Sequence, residues 1–250
     1  MSRARCHVGT SGWSYRHWSN GRFYPRGLRP GEWLPFLAQR MDTVEVNMSF
    51  YRFPPEKLVV RWREATPARF LFALKLWRRI THEKRLIDCA RELGNFLRVG
   101  ETLGSQRGPL LVQLPPSMGK DVGRLDEFLE TLKREQGRRR WRVAVEFRNG
   151  EWLCREVNEV LDRHRAALVL SDHRACTIAE TNAGPFVYVR RHGIGGRCGG
   201  SYSDEQLAAE AGHVRRWLEE GRTVFVYFNN DIGGHAVDNA MKLREMLGYG

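Results

Sequence analysis

The chain predicts an α/β fold of the TIM-like (β/α)8 barrel class, parallel-stranded and irregular around the sixth crossover. Three observations predict it. Eight short apolar runs alternate with amphipathic stretches along 250 residues, a length at which such barrels form one domain. Each run ends in, or passes at once into, hydrogen-bonding or charged side chains, as expected where strand ends and loops build a site. The first turn lacks a dinucleotide-binding spacing, which weighs against the competing open doubly wound sheet. No repeat, low-complexity tract or linker divides the sequence, so residues 1–250 are expected to form one domain.

Taken in order, strands are expected at Cys6 to Thr10, Thr43 to Asn47, Phe70 to Lys75, Leu110 to Gln113, Arg142 to Phe147, Ala167 to Leu170, Phe186 to Arg190 and Val224 to Phe228. Between them, start and stop signals place helices at Pro30 to Arg40, Pro55 to Ala65, Glu83 to about Leu103 behind a Thr81 cap, and Gly123 to Gln136. Three more follow at Trp152 to His164, Ser203 to Glu220 and His235 to Leu247. Between Asp172 and Pro185 the segment is too short and turn-rich for a crossover helix. Arg138 to Arg140 reads as a solvated loop at the end opposite the site.

Composition narrows the partners. Hydrophobic residues make up 42% of the chain and supply a core. A formal charge of +12 would attract anions, nucleic acid included, although only six of the 41 basic residues are Lys. Five scattered cysteines without a paired spacing argue against a disulfide framework or structural zinc. With no signal-peptide pattern and no apolar run near the ~20 residues that span a bilayer, a soluble, cytoplasmic protein without membrane contact is expected. Oligomeric state is not legible.

Side-chain alternation identifies the candidate site. Val44 and Val46 face one way, while Thr43, Glu45 and Asn47 face the other, into the barrel. Ala144, Glu146 and Arg148 share an inward face, as do Tyr188, Arg190 and His192, and Tyr227, Asn229 and Asp231. Buried charge is costly unless paired or bound. Glu45, Lys75, Glu146 and Asp172 are therefore the candidate catalytic groups. The candidate binding groups are Thr10, Trp13, Tyr15, Asn47, Tyr51, Gln113, Arg148, Arg190, His192, Asn229, Asn230 and Asp231. Carboxylates would move protons while Lys75, Arg148 and Arg190 hold an anion. Glu45 and Asn47 are expected to meet Lys75 and, across the mouth, Asn229. A plain ion-pair lattice plugging the mouth is the alternative. No cofactor is expected, but Glu146, Asp172, His192 and Asp231 offer an alternative divalent-metal set. Their order resembles the metal sites of xylose-isomerase-like and endonuclease-IV-like barrels.

Aromatic residues from Trp13 to Trp18, with Phe50 and Tyr51, would form a stacking wall or a lid over the mouth. Gly9 and Gly12 would let the first loop bend and offer N–H groups to an anion.

A family signature runs through the same residues. It comprises Gly9-Thr-Ser-Gly-Trp-Ser-Tyr15, Phe23-Tyr-Pro25, Val44-Glu-Val-Asn-Met-Ser-Phe-Tyr51, Lys75 with Ile80-Thr-His82, and Gln113-Leu-Pro-Pro116. It continues with Glu146-Phe-Arg148, Arg190 with His192-Gly193, and Tyr227-Phe-Asn-Asn-Asp231. In these blocks the sequence resembles the domain of unknown function 72, or YecE-like, family, described as sugar-isomerase-related. The resemblance implies a TIM-like barrel and brings no agreed activity. It departs at Asn149-Gly-Glu151, where a Ser or similar residue is expected before Trp152, and between His192 and Tyr202, which is rich in Gly.

Three functional classes remain open: an isomerase- or hydrolase-type enzyme for a small phosphorylated or carboxylated sugar-like ligand, a nucleic-acid-binding or metal-dependent nuclease-like barrel, and a non-catalytic interaction scaffold.

Overall fold

The computed structural model describes residues 4–137 and 140–249. The sequence-predicted loop at Arg138 and Arg139 lies outside the described residues. Among the described residues nine parallel strands form one sheet: β1 (Cys6–Ser11), β2 (Thr43–Val46), β3 (Leu71–Lys75), β4 (Arg107–Gln113), β5 (Val143–Glu146), β6 (Ala167–Leu168), β7 (Leu170–Ser171), β8 (Phe186–Arg191) and β9 (Thr223–Phe228). Their order is β6-β5-β4-β3-β2-β1-β9-β8-β7. β6 and β7 are two pieces of one stretch, separated by Val169, whose N–H still donates to the Val145 carbonyl at 3.0 Å. The sheet's two edges therefore meet in a single run of chain, and the eight expected strands make a nearly closed barrel.

Helices α1 (Trp33–Ala38), α2 (Met48–Tyr51), α3 (Glu56–Glu64), α4 (Ala90–Glu101), α5 (Val122–Glu135), α6 (Arg155–Arg163), α7 (Asp204–Glu219) and α8 (His235–Met246) lie between the strands. α7 starts where its sequence signal placed it, because Ser203 and Gln206 form a reciprocal capping box. Residues 172–185 carry no helix; a lone antiparallel bridge between Ser171 and Ile178 fills that crossover. The third expected helix, observed as α4, starts later than its pattern indicated. A π-type turn at Arg79–Glu83 comes first, and left-handed backbone at Arg85, Leu86 and Asp88 interrupts the helical path while Leu86 packs into the core. Thr81 bonds to the His82 ring at 2.8 Å and does not act as the cap.

Period-two alternation splits the core into two layers. Val44, Val46, Val143, Val145, Val224 and Val226 face outward into the helices. Ala73, Leu111, Ala144, Phe186, Tyr188, Phe225 and Tyr227 belong to a separate cluster inside the barrel. Gly9 of β1 sits opposite Thr43, and a Cβ there would come within 2.1 Å of the Thr43 carbonyl oxygen. Only glycine allows that approach.

Candidate active site

At the strands' C-terminal ends the interior changes from apolar to charged. Glu45 on β2 and Glu146 on β5 are fully buried, and Arg190 on β8 is 1% exposed. Arg190 donates from Nε and Nη2 to the two oxygens of Glu45 at 3.0 and 2.8 Å, and from Nη1 to Glu146 Oε2 at 2.7 Å. The Tyr188 hydroxyl donates to Glu45 Oε2 at 2.6 Å. Glu45 therefore pairs with Arg190 across the barrel, not with Lys75 on the neighbouring strand. Burial alone would raise both carboxyl groups. The charge of Arg190 outweighs it, helped by hydrogen bonds at Glu45 and by Arg148 at Glu146, and holds both below the usual carboxylate range.

The network continues towards β7. Arg148 Nη2 lies 2.9 Å from Glu146 Oε1, yet off the angle of a hydrogen bond, so that among the described residues that oxygen lacks a directed donor and Arg148 Nε lacks an acceptor. The same Nη2 is 3.2 Å from His192 Nε2. On the ring's other side Asp172 Oδ1 accepts from the His192 backbone N–H at 2.7 Å and lies 3.3 Å from Nδ1. This geometry fits a neutral imidazole donating from Nδ1 and accepting at Nε2, and burial pushes its pKa down. Asp172 also accepts from the Tyr202 hydroxyl. Burial would raise Asp172, but these hydrogen bonds bring it below its ordinary value.

Lys75 is the exception. It ends β3 facing inward at 7% exposure, and among the described residues its amine makes no hydrogen bond or ion pair. Its Nζ stands 4.1 Å from the Phe50 ring centroid. Burial first, then the charge of Arg190, pushes the ammonium down to about 7, against the opposing pull of Glu146 and Glu45. The two carboxylates are balanced by Arg190 and Arg148, so a protonated Lys75 adds an uncompensated charge. Ser49 Oγ, 2.7 Å from both the Val46 and Lys75 carbonyl oxygens, ties α2 to the strand end and holds Phe50 over the amine.

The remaining candidates divide by position. Asn47 points an unpartnered Oδ1 from the end of β2, and Ser11 beside it has an unpartnered hydroxyl. Tyr51 is 68% exposed on the rim. Gln113 Nε2 donates to the Leu114 carbonyl at 3.4 Å. Thr10 is spent on its own turn, donating to the Gly12 carbonyl at 2.7 Å. Asn229 contacts Cys198 Sγ, and buried Asn230 binds the Gly200 carbonyl and Asn239, fastening the Gly-rich loop after β8. Asp231 accepts through its backbone carbonyl from the Trp18 indole at 3.0 Å and contacts His17 Nε2 there at 2.7 Å. Of the suggested metal quartet, Asp231 turns towards His17, while Asp172 pairs with His192 and Glu146 Oε1 lies 4.0 Å from His192 Nε2. Among the described residues no three His, Cys, Asp or Glu side chains are grouped to hold a metal.

The first loop folds inward. Trp18 is fully buried, Trp13 packs edge-on to Trp62 at 5.5 Å, and Tyr15 lies 4.7 Å from Trp18 while donating to the Ser11 carbonyl. Trp18 is thus packing beside the mouth, while Trp13 and Tyr15 stay half-buried there. The Gly12 N–H donates to the Glu45 carbonyl at 2.8 Å and is not available to an anion. At this departure Asn149 caps the turn at Gly150–Trp152, its side chain accepting from the Glu151 N–H at 3.0 Å.

Ser49 was not singled out, Tyr188 was read only as sharing the inward face of Arg190, and Phe50 was expected in a stacking wall or lid and not over the amine. Tyr188 lies two residues before Arg190 on one strand face and was within reach of the alternation rule; the positions of Phe50 and Ser49 depend on a four-residue helix whose N-cap residue, Asn47, makes no side-chain cap hydrogen bond. A separate cavity of about 510 Å³ opens at the opposite end, between α5, α6 and the starts of β5 and β8, with Lys133, Arg140, Arg142, Arg163 and Arg165 on its walls.

Fold and mouth together define a TIM-like barrel protein with a buried ionic network across its C-terminal end. More particularly, the chain belongs to the DUF72 family: the model described as "Protein of unknown function DUF72" matches residues 7–250. A DUF72 family protein of Thermotoga maritima superposes with a TM-score of 0.85 at 27% identity, covering 98% of this chain and 99% of the other. The Bacillus subtilis UPF0759 protein YunF is 25% identical, covering 96% of this chain and 94% of its own length. With the UPF0759 protein YecE of Escherichia coli the chain is 28% identical over 58% of its length, a match that spans about half (52%) of that relative. D-psicose 3-epimerase from Clostridium cellulolyticum shares the fold alone, at 11% identity and a TM-score of 0.50. Among the described residues no helix is long and apolar enough to cross a membrane.

Proposed function

We propose that this barrel is an enzyme, isomerase- or hydrolase-like, that holds a small phosphorylated or carboxylated sugar-like molecule at its C-terminal mouth. The observation that carries the proposal is the buried amine of Lys75, without a counter-ion among the described residues, in a mouth that also contains Glu146 Oε1, ion-paired to Arg148 but without a directed hydrogen bond, and the unbonded Asn47 Oδ1 and Arg148 Nε. Buried polar groups are ordinarily satisfied, so these atoms mark the place of a missing partner. An anion beside Lys75 and Arg148 would neutralise the surplus charge, while Glu146 Oε1 and Asn47 would accept from ligand hydroxyls.

In this proposal the proton-carrying role expected of Glu45 and Glu146 passes to Lys75. Both carboxylates are held ionised by Arg190, whereas an amine titrating near 7 can give and take a proton at neutral pH. Arg190, saturated by the two carboxylates, acts as their counter-ion and not as an anion clamp. The test is a thermal-shift screen with sugar phosphates and sugar acids. A ligand-dependent rise in melting temperature is expected for the wild type and is lost in both Lys75→Met and Arg148→Met. Absence of any shift, or its survival in both variants, would remove the proposal.

The basic cavity at the far end and the charge of +12 favour a second reading, contact with a polyanion there. That contact would weaken steeply with salt; flat or absent DNA and RNA binding at low salt would exclude it.

A further inference from the structure

We infer that Lys75 is a covalent amine nucleophile, and that the mouth takes carbonyl compounds, open-chain aldose or ketose phosphates, by forming an imine at Lys75 Nζ. The inference rests on the anionic-ligand proposal and adds the reacting group. A structural lysine at this depth should be paired with a carboxylate. Here both nearby carboxylates are committed to guanidinium groups, and the amine is left against the Phe50 ring. Desolvation beside other cations is the setting that frees a lysine lone pair for attack on a carbonyl carbon. The backbone at this point is fixed by the strand and by the Ser49 hydroxyl, so Nζ is presented from a rigid base.

The step balances within the site. The Nζ lone pair forms a C–N bond as the carbonyl π pair moves to oxygen. One amine proton passes to that oxygen, giving a carbinolamine. Loss of the hydroxyl with the second amine proton releases one water and leaves a C=N bond, with no oxidant or reductant required. Arg148 would face the ligand's anion, and Glu146 Oε1 an adjacent hydroxyl.

The chain has six lysines, which makes the test site-specific. The folded protein is incubated near pH 7 with glyceraldehyde 3-phosphate and sodium cyanoborohydride, and adducts are mapped by peptide mass spectrometry. Lys75 should be alkylated at least about tenfold faster than the other five lysines, and glycerol 3-phosphate, which has no carbonyl, should slow the reaction. Thermal stabilisation by glycerol 3-phosphate without trapping at Lys75 overturns the imine and leaves the anion proposal standing. Trapping at Lys75 without protection by glycerol 3-phosphate supports the imine and removes the anion. Neither trapping nor stabilisation overturns both. Because the readout is taken on the wild type, it does not depend on a variant folding.

Discussion

Replacing Arg190 with Met should be among the most damaging single changes available to this fold. The side chain is 1% exposed and supplies three hydrogen bonds to two fully buried carboxylates. In Arg190→Met, Glu45 keeps only the Tyr188 hydroxyl and Glu146 only the off-angle Arg148. Leaving a buried charge uncompensated costs about 3–5 kcal/mol, against a total stability of about 5–15 kcal/mol for a domain. For a chain of this length that corresponds to a fall in melting temperature on the order of 10 °C. Urea unfolding followed by circular dichroism at neutral pH measures it. The pH dependence has a definite sign. Arg190 depresses both carboxyl groups below 4.5, so its contribution is complete above that pH and declines as pH falls through the folded-state values. In the variant, burial without Arg190 raises the same groups, and the gap to wild type should narrow on acidification. A variant within about 1 kcal/mol of wild type at neutral pH would refute the ion-pair account.

Lys75→Met tests the opposite case, a charge the fold does not compensate. The unfolded state holds the lysine proton up to about 10.5 and the folded state releases it near 7, so wild-type stability rises with pH between those values. Relative to the variant, the wild type should gain about 2 kcal/mol between about pH 6.5 and about pH 8.5, read from paired urea titrations; a constant difference would show that the amine is not perturbed. Gly9→Ala should cost about 3 kcal/mol or more, since its Cβ would fall 2.1 Å from the Thr43 carbonyl oxygen. A melting temperature equal to wild type would contradict the close β1–β2 approach.

How much of this was legible in the sequence follows from the range of the forces involved. Alternation is local, and it placed Glu45, Glu146, Arg148, Arg190 and His192 on inward faces correctly because each strand's period is set by its own backbone. Pairing is not local. Glu45 was expected to meet Lys75, one strand away, yet the long guanidinium of Arg190 reaches across the lumen and satisfies both carboxylates at once. Which strands face each other across a barrel depends on its closure and stagger, quantities no single strand encodes. The rim aromatics illustrate a different limit. Trp13, Tyr15 and Trp18 were assigned to the rim by chain order, but their rings pack on Trp62 and on one another, burial that a loop sequence does not reveal. Lys75 was legible as an inward charge; that it would be the one without a partner was not.

The imine inference depends most directly on one property, a Lys75 ammonium destabilised by burial without a counter-ion among the described residues. With lysine labelled by ¹³C at Cε, six resonances can be followed by NMR across pH, and Lys75→Met assigns the one of interest. One signal should titrate near 7, move upward when an anionic ligand occupies the mouth, and vanish in the variant. Six signals that all titrate above about pH 10 would contradict the account.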